Sequence, residues 1–238
     1  MTRLTRCAAA LLCGALGVSS ALSAAPAPAT DPVAAAIADP ARPPEDVARD
    51  AQRRPDLVLA FYEVTQGMTV VDFIAGGGYY TEFFSRVVGD AGRVYATRLA
   101  PERIADGRLP NVTAIGDGDW GLAPGSVDLV FTAQNYHDLV ARNIDRQPIL
   151  ALILNVLKPG GTFAVSDHAA QDGSGARDAN TLHRIDERLV RDEVTAAGFV
   201  FVADSDVLRH PADARQVHVI SGGIRGETDQ FVLKFRKP

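Results

Sequence analysis

Cysteine is almost absent from this sequence. The 238 residues include two cysteines, Cys7 and Cys13, and both lie near the amino end. A small domain held together by disulfides needs several cysteines spread along the chain, so that class of protein is excluded. Stability must come instead from a packed core, for which a hydrophobic content of 47% is sufficient.

The chain also lacks an excess of basic residues. Lysine and arginine number 24 against 29 aspartates and glutamates, which gives a net charge of −5. Without Arg3 and Arg6 the balance is 22 against 29, a net charge of −7. Proteins that bind nucleic acid present a basic surface. We therefore predict no nucleic acid partner.

One long apolar run is present, between Ala8 and Val18. It follows Arg3 and Arg6 and precedes small residues at positions 23–25, which is the three-part layout of a secretory signal peptide. The run is too short to remain as a membrane-spanning helix. We predict a signal peptide over residues 1–25, a periplasmic or secreted protein, and no stable membrane insertion after cleavage. An uncleaved amino-terminal anchor is the alternative.

Composition divides the rest of the chain into two parts. Residues 26–44 are rich in alanine and proline and are predicted to be a linker with a short helix near 34–38. Residues 45–238 fit one domain of ordinary size. Arg53 and Arg54, in its first helical stretch, are predicted to be solvated surface charges, with a position facing a ligand pocket as the alternative.

A glycine turn is the main feature of that domain. The run from Val70 to Ile74 is typical of a buried strand, and helical apolar spacing begins at Tyr80. Three glycines, 76–78, lie between them. Glycines at this place allow the backbone to approach a ligand at a helix amino terminus, and a carboxylate within the strand, Asp72, needs a partner.

The segment from Asp72 to Gly78 resembles motif I of the class I S-adenosylmethionine (SAM) dependent methyltransferases, Asp/Glu-x-Gly-x-Gly-x-Gly. Gly76 and Gly78 match the motif, and Ile74 replaces its first glycine. The chain is also similar to a group of exported bacterial proteins described as predicted methyltransferases. The segments that carry this second similarity are 76–81, 181–186 and 225–238.

Strand and helix patterns alternate along the domain. Strands are predicted at 70–74, 92–97, 111–115, 127–132, 162–166, 199–203 and 231–235, and helices at 145–157 and 181–197, the latter capped by Asn180. Such alternation predicts an α/β fold with ligands at the carboxyl ends of the strands. The resemblance implies the same architecture: a Rossmann-like, doubly wound, mostly parallel seven-stranded sheet with an antiparallel edge hairpin.

The resemblance implies SAM as the cofactor. Asp72 would face its ammonium, Asp117 its adenine amine, and Trp120 would supply an apolar wall. Backbone contacts to the cofactor are predicted at Ala75, Gly76 and Gly78. Two local explanations stay open: Asp72 as a cap for the turn, and the Gly-Asp-Gly-Asp letters around Asp117 as a simple turn.

Arg98 departs from the family pattern. It follows the second strand, where the family usually has an acidic residue that accepts from the ribose hydroxyls, and arginine cannot accept. Glu102 or backbone groups would then hold the ribose. Alternatively, Arg98 would bind the 2′-phosphate of NADP, although Thr81 breaks the dinucleotide-binding fingerprint.

The predicted acceptor side lies after the fourth and fifth strands. His137 and His168 are predicted as catalytic bases, with structural histidines as the alternative. The predicted substrate contacts are Asn135, Tyr136, Asp167 and His183, and the polar loop 171–180 is a candidate lid. Metal ligation by His137, His168, Asp138 and Asp167 lacks tight ligand spacing, so no metal is predicted.

These observations predict a SAM-dependent methyltransferase that acts on an oxygen or nitrogen atom of a small molecule. The alternatives are a non-catalytic SAM- or nucleoside-binding protein on the same fold and an NADP-dependent reductase. The sequence does not define an oligomeric state.

Overall fold

The computed structural model describes Met1 and residues 31–238. The predicted signal peptide and the first part of the predicted linker lie outside the described residues. The domain is built on one sheet of seven strands in the order β3-β2-β1-β4-β5-β7-β6. The strands are β1 (Thr69–Asp72), β2 (Arg93–Thr97), β3 (Val112–Ile115), β4 (Val127–Ala133), β5 (Leu157–His168), β6 (Val200–Ser205) and β7 (Gln230–Arg236).

The helices connect these strands and cover both faces of the sheet. They are α1 (Pro32–Ala38), α2 (Pro44–Val47), α3 (Asp50–Arg53), α4 (Pro55–Phe61), α5 (Tyr79–Val88), α6 (Tyr136–Ala141), α7 (Gln147–Val156), α8 (Ala179–Leu182) and α9 (Glu187–Ala196). β1 to β5 run parallel, and β7 pairs antiparallel with β5 and β6. The predicted seven-stranded, mostly parallel sheet with an antiparallel edge is confirmed. No described helix is both long and apolar enough to cross a membrane.

Alternate residues of the central strands pack into two separate cores. Val71 and Val130 belong to one hydrophobic cluster, and Val70, Leu129 and Phe131 belong to the other. Side chains of a strand alternate between faces, so each strand is buried on both sides. The apolar runs in the sequence therefore reflect a sheet that is covered by helices on both faces.

Residues 31–44, within the segment predicted as a linker, pack against the domain. Ala36 on α1 is buried in the same cluster as Phe83 on α5. The guanidinium of Arg42 is buried and makes two hydrogen bonds to Asp50, at 2.7 and 2.6 Å, while lying 4.2 Å from the centre of the Phe83 ring. These contacts attach the amino-terminal helices to α5.

The predicted single helix 181–197 is wrong. The chain forms α8, leaves the helix at His183 with φ of 54°, and starts α9 at Glu187 with Asp186, not Asn180, as its cap. The break has a physical cause at Arg184, which is fully buried and makes two hydrogen bonds to Asp213, at 2.8 and 3.1 Å. Helical periodicity carries no information about such a long-range ion pair.

Candidate active site

A cavity of about 380 Å³ lies at the carboxyl ends of β1, β4 and β5. The glycine turn after β1 forms one wall, and α6 with His183 forms the facing wall. Val219, Ile220 and Arg225 of the loop between β6 and β7 also line the cavity. The lining residues that the sequence predicted are Asp72, Ala75, Gly76, Asn135, His137, His168 and His183.

The backbone of the glycine turn faces this cavity. The Ala75 N–H donates to the Thr97 carbonyl at 2.9 Å, and the Gly78 N–H donates to the Ala75 carbonyl at 3.0 Å. Within the described residues, the N–H groups of Gly76 and Gly77 have no hydrogen-bond partner. A Cβ added at either glycine would meet nothing within 4 Å. The turn is therefore a cradle with two free donors.

Two other positions of the turn differ from their predicted roles. A Cβ at Gly78 would lie 2.7 Å from Arg103 Cγ and 2.8 Å from Leu99 Cδ1, so this glycine is required by packing behind the turn. It does not line the cavity. Ile74, at the first glycine position of the motif, has φ of 62°, a conformation that strains a β-branched residue.

Asp72 and Arg53, side chains of opposite charge type, both line the cavity. Asp72 is buried and accepts a hydrogen bond from the Thr81 hydroxyl at 2.6 Å. Arg53 donates to Gln134 at 3.0 Å and lies against the rings of Tyr79 and Tyr80. No carboxylate of the described residues comes within salt-bridge distance of Arg53, and burial lowers its pKa. The predicted surface position for Arg53 is therefore wrong.

Burial raises the pKa of Asp72 from 3.8 to about 7, against the hydrogen bonds from Thr81, which lower it. The folded protein thus holds this proton between about pH 4 and 7, while the unfolded chain releases it. Folding stability falls as the pH rises through that window, by roughly 4 kcal/mol in total.

Asp72→Asn should therefore stabilise the protein at pH 8 and have little effect near pH 4. The amide cannot ionise, so the variant avoids the cost of a buried charge. Urea unfolding of both proteins at pH 4.5, 6 and 8 measures the difference, which should increase with pH. A difference that stays constant across this range would show that Asp72 ionises normally in the folded protein.

His137 is held in one orientation by Asp167. Its Nδ1 lies 2.7 Å from Asp167 Oδ1, and its backbone N–H donates to Asp167 Oδ2 at 2.8 Å. Asp167 also accepts from the His168 N–H at 2.7 Å and is fully buried. Burial lowers the pKa of His137, but Asp167 outweighs it, so that the pKa is raised overall. With Nδ1 donating to the carboxylate, Nε2 presents its lone pair to the cavity.

The other cavity histidines have different environments. His168 Nδ1 lies 2.7 Å from the Thr228 hydroxyl, and burial lowers the pKa of His168 to about 4. His168 is therefore neutral at pH 7 and a weaker base than His137. His183 Nδ1 lies 3.2 Å from His137 Nε2. Burial and the neighbouring His137 and His218 lower the pKa of His183.

Three side chains form a possible group of metal ligands, although no metal site was predicted from the sequence. Ligand atoms of His137, Asp138 and His183 all lie within 4.8 Å of one another. In the sequence, His168 and Asp167 were the other two candidate metal ligands beside His137 and Asp138. Asp167 instead orients His137 from behind, and His183 reaches the group from a segment 46 residues further along the chain.

The predicted contact of Tyr136 with the substrate is wrong. Tyr136 is buried in the core, and its hydroxyl donates to Glu193 Oε2 at 2.7 Å. Because α6 begins at Tyr136, successive side chains point about 100° apart, and His137 takes the position toward the cavity. Asn135, just before the helix, donates to the carbonyl of Ile74 at 2.9 Å and joins the two walls.

The predicted adenine and ribose contacts lie outside this cavity. Trp120 is buried against Phe73, with ring centres 5.7 Å apart, and packs in the core. Arg98 donates to Asp117 at 2.7 Å in an exposed pair. Arg98, predicted as a possible ligand of the 2′-phosphate of NADP, is thus paired with Asp117, and neither residue lines the cavity.

Sequence reasoning missed three arginines of the cavity lining, Arg49, Arg142 and Arg225. Arg142 lies four residues after Asp138, so helical spacing could have placed both on one face. Arg49 lies four residues before Arg53, at the N-cap of the short helix α3 that ends at Arg53. Arg225 comes from an irregular loop, for which the sequence offers no periodic signal.

Residues 71–165 match the family model described as "Methyltransferase domain". The similar curated proteins include ubiquinone/menaquinone biosynthesis C-methyltransferase UbiE of Klebsiella pneumoniae, 28% identical over 174 residues, which are 68% of this chain and 65% of the relative. UbiE of an Enterobacter species is 30% identical over 62% of each chain. The chain thus spans slightly less than two thirds of the length of these relatives.

Solved structures give the same fold. A SAM-dependent methyltransferase from Aquifex aeolicus has a TM-score of 0.58 at 21% identity, covering 77% of this chain and 89% of its own. Geranyl diphosphate C-methyltransferase from Streptomyces coelicolor, solved with Mg²⁺, geranyl diphosphate and S-adenosyl-L-homocysteine, has a TM-score of 0.57 at 15% identity, covering 86% and 89%. Together, the strand order and these matches show that the chain has the fold of the class I SAM-dependent methyltransferases and is similar to that family over residues 71–165.

Proposed function

We propose that this protein transfers the methyl group of SAM to an oxygen or nitrogen atom of a small molecule. One observation carries the proposal: His137 Nε2, oriented by Asp167, faces the same cavity as the free donors of the glycine turn. A base and a donor site are thus available in one cavity. SAM, when bound, supplies an electrophilic methyl group on its sulfonium.

The cavity residues fit the amino-acid end of SAM. Asp72 supplies a buried carboxylate for the ammonium, and Arg53 supplies a guanidinium that lacks a carboxylate partner among the described residues. Gly76 and Gly77 leave room where any side chain would intrude. A buried ion without a counterion is costly, so a zwitterion that satisfies both Asp72 and Arg53 binds favourably.

Arg53→Met tests this assignment. Methionine keeps the apolar stem against Tyr79 and Tyr80 but removes the charge, so SAM affinity should fall about 10- to 100-fold, the usual cost of losing a hydrogen bond between charged groups. Arg54→Met is the matched control, because Arg54 lies beside it but is exposed and faces Asp56. Calorimetric titration with SAM and with decarboxylated SAM measures the effect. An equal loss for both ligands would show that Arg53 does not bind the carboxylate.

His137 defines the acceptor side. An O–H or N–H group placed against Nε2 donates its hydrogen bond to that nitrogen, which takes the proton as the methyl group is transferred. Asp167 holds the ring in place while this occurs. Orientation in the cavity supplies the rest of the rate enhancement.

The direct test is formation of S-adenosylhomocysteine. Purified protein is incubated with SAM and a panel of small phenols, amines and hydroxy acids, and mass spectrometry identifies the methylated atom. Product that depends on both the acceptor and His137 supports the proposal. SAM binding without turnover of any acceptor favours the rival reading, a non-catalytic SAM- or nucleoside-binding protein, which the unusual Ile74 and Arg98 motivate.

A carbon atom is the second candidate acceptor. The names of the UbiE relatives describe C-methylation in quinone biosynthesis, and a base near a phenolic hydroxyl also activates the adjacent ring carbon. The product separates the two candidates, because an O-methyl and a ring C-methyl group have different proton chemical shifts. An NADP-dependent reductase is disfavoured, since Arg98 is already paired with Asp117 and lies outside the cavity.

We also propose that the protein acts after export, in the periplasm or outside the cell, on a small molecule and without nucleic acid. The support is the leader pattern over residues 1–25 and the acidic composition. Fusion of residues 1–44 to a reporter that is active only after export tests this. A cytoplasmic, uncleaved fusion would contradict it.

A further inference from the structure

Three metal-binding side chains converge on the acceptor wall of the cavity. His137 Nε2 lies 3.2 Å from His183 Nδ1 and 3.8 Å from Asp138 Oδ1. All three ligand atoms lie within 4.8 Å of one another. Two nitrogens bound to one tetrahedral zinc ion at about 2.0–2.1 Å lie about 3.3 Å apart, so the separation of the two histidines already suits a shared ion.

His137 is held in an orientation that suits a metal ligand. Its Nδ1 donates to Asp167, which is fully buried and also accepts from two backbone N–H groups. This fixes the tautomer in which Nε2 carries the lone pair. Carboxylates behind metal-bound histidines orient and strengthen the ligand in the same way.

His183 reaches the site through an unfavourable backbone conformation. Its φ of 54° is left-handed, which is uncommon for a residue with a side chain and is often found at functional sites. Its ring packs against that of His218, with centres 4.8 Å apart. His218 Nδ1 accepts from the N–H groups of Ile220 and Ser221, so that ring is fixed as well.

A hydrogen bond between His183 and His137 is the competing explanation for the 3.2 Å distance. That bond would not require Asp138, whose Oδ1 lies 3.8 Å from His137 Nε2 and whose side chain is 29% exposed. Nor would it require the open side that the group presents to the cavity. Two imidazoles and one carboxylate form a ligand set for a borderline transition metal and not for Mg²⁺ or Ca²⁺.

We propose that His137, Asp138 and His183 bind a divalent transition metal of the Zn²⁺ class, with its open position directed into the cavity. The proposed role rests on the proposed methyl transfer. An acceptor oxygen or nitrogen bound to the metal has a lower pKa and loses its proton to water. The S–CH₃ bond then breaks as the bond from the methyl carbon to that atom forms. In the loaded protein His137 is a ligand, and the metal replaces it in activating the acceptor.

Metal binding is tested without SAM or an acceptor, so its outcome is independent of the proposed function. Untagged protein is dialysed against a chelator and titrated with Zn²⁺ by calorimetry and with Co²⁺ by visible absorption. The expected results are one equivalent of tightly bound metal and an intense Co²⁺ spectrum typical of tetrahedral coordination.

His183→Asn is the decisive variant, because asparagine tolerates the left-handed backbone. Its metal affinity should fall at least about 100-fold, while its circular dichroism stays unchanged. His210→Ala, a histidine outside the cluster, is the control and should bind as wild type. Absence of stoichiometric binding by the wild-type protein, or equal binding by His183→Asn, would overturn the proposal.

Discussion

His137→Ala is expected to lower turnover about 10²- to 10⁴-fold, the usual contribution of a positioned acid–base group. SAM affinity should change little, because the proposed contacts to the amino-acid end of SAM are made by Asp72 and Arg53 and not by His137. The loss is expected whether His137 receives a proton or holds a metal, since Nε2 faces the acceptor in both cases. Initial rates of S-adenosylhomocysteine formation with one accepted substrate measure it.

His168→Ala is the matched control, since His168 lines the same cavity. Its pKa of about 4 makes it a poor base at pH 7, so its loss should reduce turnover much less than the loss of His137. Equal and full activity in both variants would mean that the histidines are structural and that catalysis depends on orientation alone. A larger effect at His168 would transfer the acid–base role to that residue.

Gly77→Val is expected to abolish SAM binding while the domain remains folded. Gly77 lines the cavity, and a Cβ at this position meets no protein atom within 4 Å, so the added side chain would project into open space and not into the protein. The backbone of Gly77 also lacks the positive φ that makes substitution of Gly76 and Gly78 costly. Titration with SAM should show at least about a 100-fold loss, because steric exclusion removes the whole cradle contact.

Two comparisons make the Gly77 experiment specific. Ala60→Val adds similar bulk on an exposed face of α4 and should leave binding unchanged. Gly78→Val should lower the melting temperature, because its side chain would collide with Leu99 and Arg103. Normal SAM affinity in folded Gly77→Val would remove the glycine turn from the binding site.

Much of the fold follows from local sequence. Val70 and Val71 alternate between the two cores, and the glycines after Asp72 mark the change from strand to helix. Each of these signals lies within a few residues. The resemblance to a known family adds the expectation of a seven-stranded sheet with an antiparallel edge, and the structure has such a sheet.

The site was only partly predictable, because its side chains come from distant segments. His137 lies beside Tyr136 in sequence, yet one enters the cavity and the other the core. His183 reaches His137 because the buried pair of Arg184 and Asp213 breaks the helix. Arg53 faces the cavity because the amino-terminal helices pack on α5. None of these effects produces a periodic pattern in the sequence from which it could be predicted.

The most direct test of the account is a crystal structure of the protein with S-adenosylhomocysteine. We predict that the ligand lies in the cavity between the glycine turn and α6, with its ammonium at Asp72 and its carboxylate at Arg53. Its sulfur should face the wall that holds His137. A ligand bound elsewhere, or with its amino-acid end away from Asp72 and Arg53, would contradict the account.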